Sequence, residues 1–267
     1  TSFTVPGRIY RYDFKNGQST LWKQPKVAFQ PDDYETRQVW VTSKDGVKLP
    51  MFITHKKGLK PDGSDPTLLY GYGGFEISML PSYSGGIGQA WLSQGGVYVL
   101  ANIRGGGEYG PAWHQSAIKA NKQRSYDDFA AVGEDLIRTG VTSPRHLGIR
   151  GGSNGGLLVG AVMLQRPDLF NAVVCQVPLL DMQRYHLVLA GASWMAEYGN
   201  PEKPEQWAWI SKYGPYQNVR ADAKLPPVLF TTSTKDDRVH PGHARKMAAR
   251  MIEQGHTVTY FENIEGG

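Results

Sequence analysis

The residues best suited to chemistry lie in Leu147-Gly148-Ile149-Arg150-Gly151-Gly152-Ser153-Asn154-Gly155-Gly156-Leu157-Leu158. Its centre satisfies G-x-S-x-G and sits between an apolar run of strand length and a run of helical character. Glycines two positions either side of Ser153 leave room for a sharp strand-to-helix turn, which holds the serine hydroxyl exposed above a sheet. The backbone N–H of Asn154 then points to where negative charge develops when a serine attacks a carbonyl. The chemistry implied is acyl transfer through a covalent intermediate. A dinucleotide-binding G-x-G-x-x-G fails here, because Ser153 stands where the middle glycine must let backbone approach pyrophosphate. A glycine-rich structural turn would not need serine at its centre.

A serine nucleophile needs a base and an orienting carboxylate, and in this arrangement they follow in the order Ser, Asp, His. The acid should lie in a loop after a later strand. Val228 to Thr232 is that strand, and Asp236-Asp237-Arg238 follows it, so Asp236 and Asp237 are both candidates. The histidine should come in the turn after the strand Val258 to Phe261, where the chain reads Glu262-Asn263-Ile264-Glu265-Gly266-Gly267. None of the seven histidines fits. His240 and His243 are too close to the acid, at a helix start; His256 precedes the last strand, and His186 lies between two strands. These read as surface or structural histidines, and the general base is expected just beyond Gly267.

The elements that must hold these residues show in the periodicity. Ile9, Tyr10 and Tyr12, the turn Asn16-Gly17, and Ser19 to Trp22 form a β-hairpin. A Pro-punctuated stretch follows, and a second hairpin runs Arg37 to Thr42, turns at Asp45-Gly46 and returns from Lys48 to Thr54. From Pro66 strands alternate with helices. Thr67 to Tyr70, Val97 to Ile103, Leu147 to Arg150, Ala172 to Val177, Val228 to Thr232 and Val258 to Phe261 read as strands. Tyr126, Phe129, Val132, Leu136 and Ile137 recur at helical spacing, with Ser125 as N-cap and Gly140 as stop. Further helices are expected over Leu157 to Gln165, closed by Pro167, and over Gly242 to Glu253, ended by Gly255. This rhythm predicts an α/β fold with a mostly parallel sheet and helices on both faces. A domain boundary near residue 30 is expected where hairpins give way to alternation.

The bulk composition excludes several classes. Hydrophobic residues make up 40% and charged residues 20% of 267 positions, enough for one large domain with a substantial core. No apolar run approaches the ~18 residues of a membrane span. Thr1 to Pro6 carries neither a charged nor an apolar leader region, so no signal peptide is visible, and the chain reads as beginning in mid-protein. The single cysteine, Cys175, excludes an intrachain disulfide and lies in an apolar run, as a buried inert thiol would. The net charge of +5 is spread along the chain. Its densest cluster, His55-Lys56-Lys57 with Lys60, reads as a solvated hairpin end, so nucleic-acid binding is not indicated.

These residues resemble the prolyl oligopeptidases. The resemblance rests on Tyr70-Gly71-Tyr72-Gly73-Gly74-Phe75, Asn102-Ile103-Arg104-Gly105-Gly106-Gly107-Glu108-Tyr109-Gly110, Gly151 to Gly156, Arg166-Pro167-Asp168-Leu169-Phe170 and Asp236-Asp237-Arg238-Val239. The motifs occur in order and cover nearly the whole chain from about Tyr34. The resemblance implies an α/β-hydrolase domain over residues 29–267, with residues 1–28 as the end of the last blade of a seven-bladed β-propeller. It makes Ser153 the nucleophile and Asp236 the orienting acid, and it pairs the Asn154 N–H with the Tyr72 phenol as the oxyanion hole. The family's histidine would follow Glu265-Gly266-Gly267 directly. Trp194 would stack on a substrate proline ring in an S1 pocket completed by Phe75, Leu179, Tyr198 and Val239. Arg238 would hold a substrate backbone carbonyl, with Asp237 fixing Arg238. The glycines 105 to 107 form a tight turn rather than a phosphate cradle, since no helix with Lys-Ser/Thr follows. The activity implied is endopeptidase action on short proline-containing peptides, without metal or organic cofactor, by a monomer of cytoplasmic or periplasmic location. Alternatives are a relative cleaving after Lys or Arg, an esterase, or a non-catalytic binding protein of the same fold.

Overall fold

Turn residues and alternation build the start of the chain, which a computed structural model describes over residues 2–27 and 30–266. Strands β1 (Ile9–Asp13) and β2 (Gln18–Lys23) pair antiparallel across Asn16-Gly17, where Gly17 takes a φ of 69° that a side chain resists. Every residue of both strands is exposed, and the ribbon forms a sheet of its own. The expected domain boundary at residues 28 and 29, and Gly267 in the last turn, lie outside the described residues.

The second hairpin, β3 (Tyr34–Thr42) and β4 (Lys48–Lys56), opens the main sheet. Then follow β5 (Thr67–Tyr70), α1 (Gly85–Ala90), β6 (Val97–Ala101), α2 (Pro111–Gln115) and α3 (Gln123–Arg138). The next elements are β7 (Leu147–Gly152), α4 (Asn154–Gln165), β8 (Ala172–Gln176), α5 (Met195–Tyr198), α6 (Pro204–Tyr213) and α7 (Pro215–Asn218). The described chain closes with β9 (Val228–Ser233), α8 (Gly242–Glu253) and β10 (Val258–Asn263). The eight strands are ordered β10-β9-β8-β7-β5-β6-β4-β3. The six from β10 to β6 run parallel, and β4 and β3 are antiparallel.

Strand alternation decides where the core sits. Register places Leu69, Val99, Ile149, Val173, Cys175 and Phe230 on one face, each at most 2% exposed, under the apolar sides of α3, α4 and α8. Each such side chain contributes about 1.5–3 kcal/mol by leaving water. Tyr70, Tyr98 and Arg150 point to the opposite face, where Ile87 of α1 joins them around a cavity. The α/β-hydrolase architecture expected from the sequence is therefore present.

Three local readings are corrected. Ser125 is not an N-cap: α3 starts two residues earlier, after a 3-10 turn over Lys119–Asn121, and Ser125 is buried within it. Its Oγ donates instead to the carbonyl oxygens of Arg104 (2.8 Å) and Gly73 (3.3 Å). His55 is not solvated. It is 3% exposed, with Nδ1 against the Lys56 carbonyl, while Lys56, Lys57 and Lys60 are exposed. Helix α4 begins at Asn154 rather than Leu157, which puts Ser153 directly at its N-terminus.

The topology itself creates a crevice. After β5 the chain goes out to β6, then returns to lay β7 on the other side of β5. In parallel sheets, ligands bind beyond the carboxyl ends of strands at such a switch point. Tyr72 follows β5 and Ser153 follows β7, so the two residues flank it.

Candidate active site

Ser153 sits between the end of β7 and α4 with φ 58° and ψ −118°, a conformation unfavourable for a residue with a side chain. The surrounding glycines hold it there. A Cβ on Gly151 would run into the Gly155 carbonyl, and one on Gly155 would lie 2.7 Å from the Gly71 carbonyl. The serine N–H donates to the Gln176 carbonyl of β8 at 3.0 Å, which pins the turn to the sheet. The hydroxyl is left half-buried at the crevice. As the first residue of α4, Asn154 has no intrahelical partner for its N–H, and none is seen among the described residues.

Tyr72 stands across the crevice on the β5 loop, its backbone beside the serine turn, with its hydroxyl near enough to Ser153 for the serine to influence its ionisation. Burial raises its pKa above the ordinary phenol range, opposed by the neighbouring Ser153 hydroxyl and the charge of Arg238. It is therefore a neutral O–H donor at physiological pH. The Asn154 side chain fixes the distance between the two loops. Its Nδ2 donates to the Tyr72 carbonyl at 2.6 Å, and its Oδ1 accepts from the Tyr198 hydroxyl at 2.6 Å.

Asp236 follows β9 in a loop whose own hydrogen bonds shape it. Its Oδ1 accepts from the N–H groups of Arg238 and Val239, both at 2.9 Å, which leaves Oδ2 without a partner among the described residues. Asp237 and Arg238 are exposed and form no side-chain bond to each other, so Asp236, not Asp237, orders the Arg238 backbone. The turn after β10 is bound to this same loop. Thr234 N–H donates to the Asn263 carbonyl at 2.9 Å, and Ser233 Oγ donates to the carbonyls of Asn263 and Gly266.

Of the residues expected to bind substrate, Tyr198 meets the serine turn through its hydrogen bond to Asn154. Phe75 (φ 57°) meets the Tyr198 ring edge-on at a centroid distance of 5.7 Å. Trp194 ends a 3-10 helix (Leu189–Trp194) and is 9% exposed; Leu179, Tyr198 and Val239 are buried in the same apolar cluster, with Phe75 packed against it. The Ala190 N–H donates to the Arg238 carbonyl at 3.4 Å, tying the Trp194 segment to the Asp236 loop.

None of the seven histidines bonds to Ser153 or Asp236 among the described residues. His114 pairs with Glu197, His146 with Ser143 and the Gly63 carbonyl, and His186 with Glu202. His240 accepts from Gly242 N–H, His243 from the N–H groups of Leu180 and Asp181, and His256 lies against the Arg220 carbonyl. Cys175 is buried, with its Sγ against the Gly156 carbonyl, and burial raises its thiol pKa far above the ordinary value. Among the described residues no group of three or more His, Cys, Asp or Glu could hold a metal, and no helix is long and apolar enough to cross a membrane. Sequence reading missed one feature of the site. Lys122 and Glu197, both buried, form an ion pair beneath the Tyr72 loop. Nothing in a polar run such as Asn121-Lys122-Gln123-Arg124 signals burial.

A mostly parallel sheet that carries a serine on a strand–turn–helix elbow at its switch point defines the α/β-hydrolases. The chain belongs to the prolyl oligopeptidase family, whose model matches residues 81–265. It is 54% identical to an uncharacterized peptidase of Sinorhizobium fredii, over 99% of this chain and 36% of that protein. It is 44% identical to a prolyl endopeptidase of Elizabethkingia meningoseptica, over 94% of this chain and 36% of that enzyme. The structure of a post-proline cleaving enzyme from Rickettsia typhi matches with a TM-score of 0.94 at 45% identity, over 98% of this chain and 38% of that one. The chain thus spans little more than a third of the length of its relatives.

Proposed function

We propose that this chain supplies the nucleophile, orienting acid and oxyanion donors of a serine endopeptidase that cleaves short peptides on the carboxyl side of proline. The observation that carries the reading is the strained Ser153 elbow at the switch point, tied to the Tyr72 loop by Asn154. Ser153 attacks the prolyl carbonyl, and the resulting oxyanion is held by the Asn154 N–H and the Tyr72 hydroxyl. Asp236 orients a histidine base through its unpartnered Oδ2. The family resemblance puts that histidine after the turn that is bound to Ser233 and Thr234, three and two residues before Asp236. The base takes the serine proton and gives it to the leaving amine, and water then hydrolyses the acyl-enzyme.

A proline ring would stack on a flat apolar surface, the role proposed for Trp194, with Phe75 and Tyr198, which meet edge-on, completing the subsite. Cleavage after Lys or Arg needs a carboxylate free to meet the substrate cation. Two carboxylates adjoin the subsite residues in sequence: Glu197, beside Tyr198, is 3% exposed and paired with Lys122 and His114, and Glu76, beside Phe75, stands 3.8 Å from His114. The test is a panel of peptides varied at P1, assayed with the intact protein. Turnover should be confined to proline and closely similar residues, and equal turnover of lysyl and prolyl peptides would refute the assignment.

A further inference from the structure

The loop that follows β5 is strained in a way its own sequence cannot sustain. Gly73 has φ 64°, and the next two residues with side chains that could resist, Phe75 and Glu76, have φ 57° and 58°. Such conformations persist only where surrounding structure over-determines them. A charged cluster lies directly beneath. Lys122 is 1% exposed, and its Nζ donates to the Gly73 carbonyl at 2.8 Å and to Glu197 Oε1 at 2.9 Å. Glu197 Oε2 pairs with His114 Nε2 at 2.7 Å, and His114 Nδ1 stands 3.8 Å from Glu76 Oε2. The cluster therefore grips the loop at Gly73 and at Glu76, on either side of Phe75.

Its other end reaches Tyr198, one of the residues proposed to bind substrate. Glu197 precedes Tyr198, whose ring lies 5.7 Å from the Lys122 ammonium and whose hydroxyl holds Asn154. The Gly73 carbonyl already accepts from the Ser125 hydroxyl at 3.3 Å, so a buried ammonium is a costly second donor to it. Here it holds the peptide that follows Gly73, one residue on from the Tyr72 carbonyl that Asn154 binds.

We propose that Lys122 and Glu197 form a positioning pair for Tyr72: the lysine clamps the Gly73 carbonyl, and the glutamate joins that clamp to Tyr198. The proposal rests on the assignment of Tyr72 as an oxyanion donor. It is tested by a double-mutant cycle on the intact protein, measuring kcat and KM for a prolyl peptide. Lys122→Met keeps the stem and removes the donor. It should lower kcat by about 10- to 100-fold, the scale of an ångström of misplacement. KM should stay within about threefold, because an interaction made in the transition state is lost. In a Tyr72→Phe background the same change should cost less than about threefold, since its target is gone. An equal loss in both backgrounds, or no loss from Lys122→Met, overturns the pair as a positioning device. Should Lys122→Met fail to fold, Glu197→Gln, which keeps volume and an acceptor oxygen, enters the same cycle with the same two outcomes. Ser153→Ala run in parallel separates the premises. Loss of turnover there with an additive cycle overturns only the positioning role, and retained turnover overturns the reading of the site.

Discussion

At the scale of single residues, the proposed work is divided between groups that bind charge and groups that bind shape. Tyr72→Phe removes one of two oxyanion donors and should cost about 2.7–4 kcal/mol of transition-state stabilisation. Steady-state kinetics should show this in kcat with KM nearly unchanged; an unaltered kcat would reduce Tyr72 to a packing residue. Trp194→Ala removes the flat apolar surface proposed to meet the proline ring. The preference for proline over alanine at P1 should then fall by about tenfold or more, and retained selectivity would assign ring binding elsewhere. Much of this scale was legible in the sequence. G-x-S-x-G is a local steric device, so Ser153 and Asn154 follow from a few adjacent residues. Asp236 was separable from Asp237 only by resemblance, and the structure adds the reason for the difference in geometry: Asp236 Oδ1 is bound by two backbone N–H groups. Lys122 and Glu197 were invisible, because two residues 75 positions apart meet only through the fold.

At the scale of elements, the turn between β7 and α4 carries the largest local constraint. Gly155→Ala places a methyl 2.7 Å from the Gly71 carbonyl, a contact that backbone must move to relieve. Overpacking of this kind costs about 1–3 kcal/mol. The unfolding midpoint should drop, and turnover should drop further than stability does, because Gly71 adjoins Tyr72. Unchanged midpoint and turnover would mean the elbow tolerates what its geometry forbids. Strands and the helix over Gly242–Glu253 were read closely from periodicity, since alternation and amphipathic spacing report burial directly. The start of α3 was not. Ser125 looks like a cap by type, but its hydroxyl is spent on the Gly73 and Arg104 carbonyls, a tertiary demand that outweighs local preference. His55 was misread for a similar reason: a charged neighbourhood in sequence concealed a side chain turned inward.

At the scale of the whole molecule, stability should depend on acid through His243. This residue of α8 is 4% exposed, and its Nδ1 accepts from the N–H groups of Leu180 and Asp181. Burial lowers its pKa from 6.5 to about 4, with Asp181 opposing and Lys246 and His240 reinforcing. Between those values the unfolded chain takes up a proton that the native state refuses. Stability is therefore lost as pH falls from 6.5 towards 4, by about 3 kcal/mol, and the loss levels off below. Denaturant unfolding from pH 7 to 4 should show that slope, and His243→Asn, which keeps an acceptor but does not titrate, should remove it. The same acid limb in both proteins would place the titration elsewhere. Whether Ser153 is the nucleophile is decided by labelling the intact protein with a fluorophosphonate and mapping the adduct by mass spectrometry. A single phosphonylated residue, Ser153, is expected, with label and prolyl-peptide turnover both lost in Ser153→Ala. Labelling at another residue, or turnover within about tenfold of the parent in Ser153→Ala, would contradict this assignment.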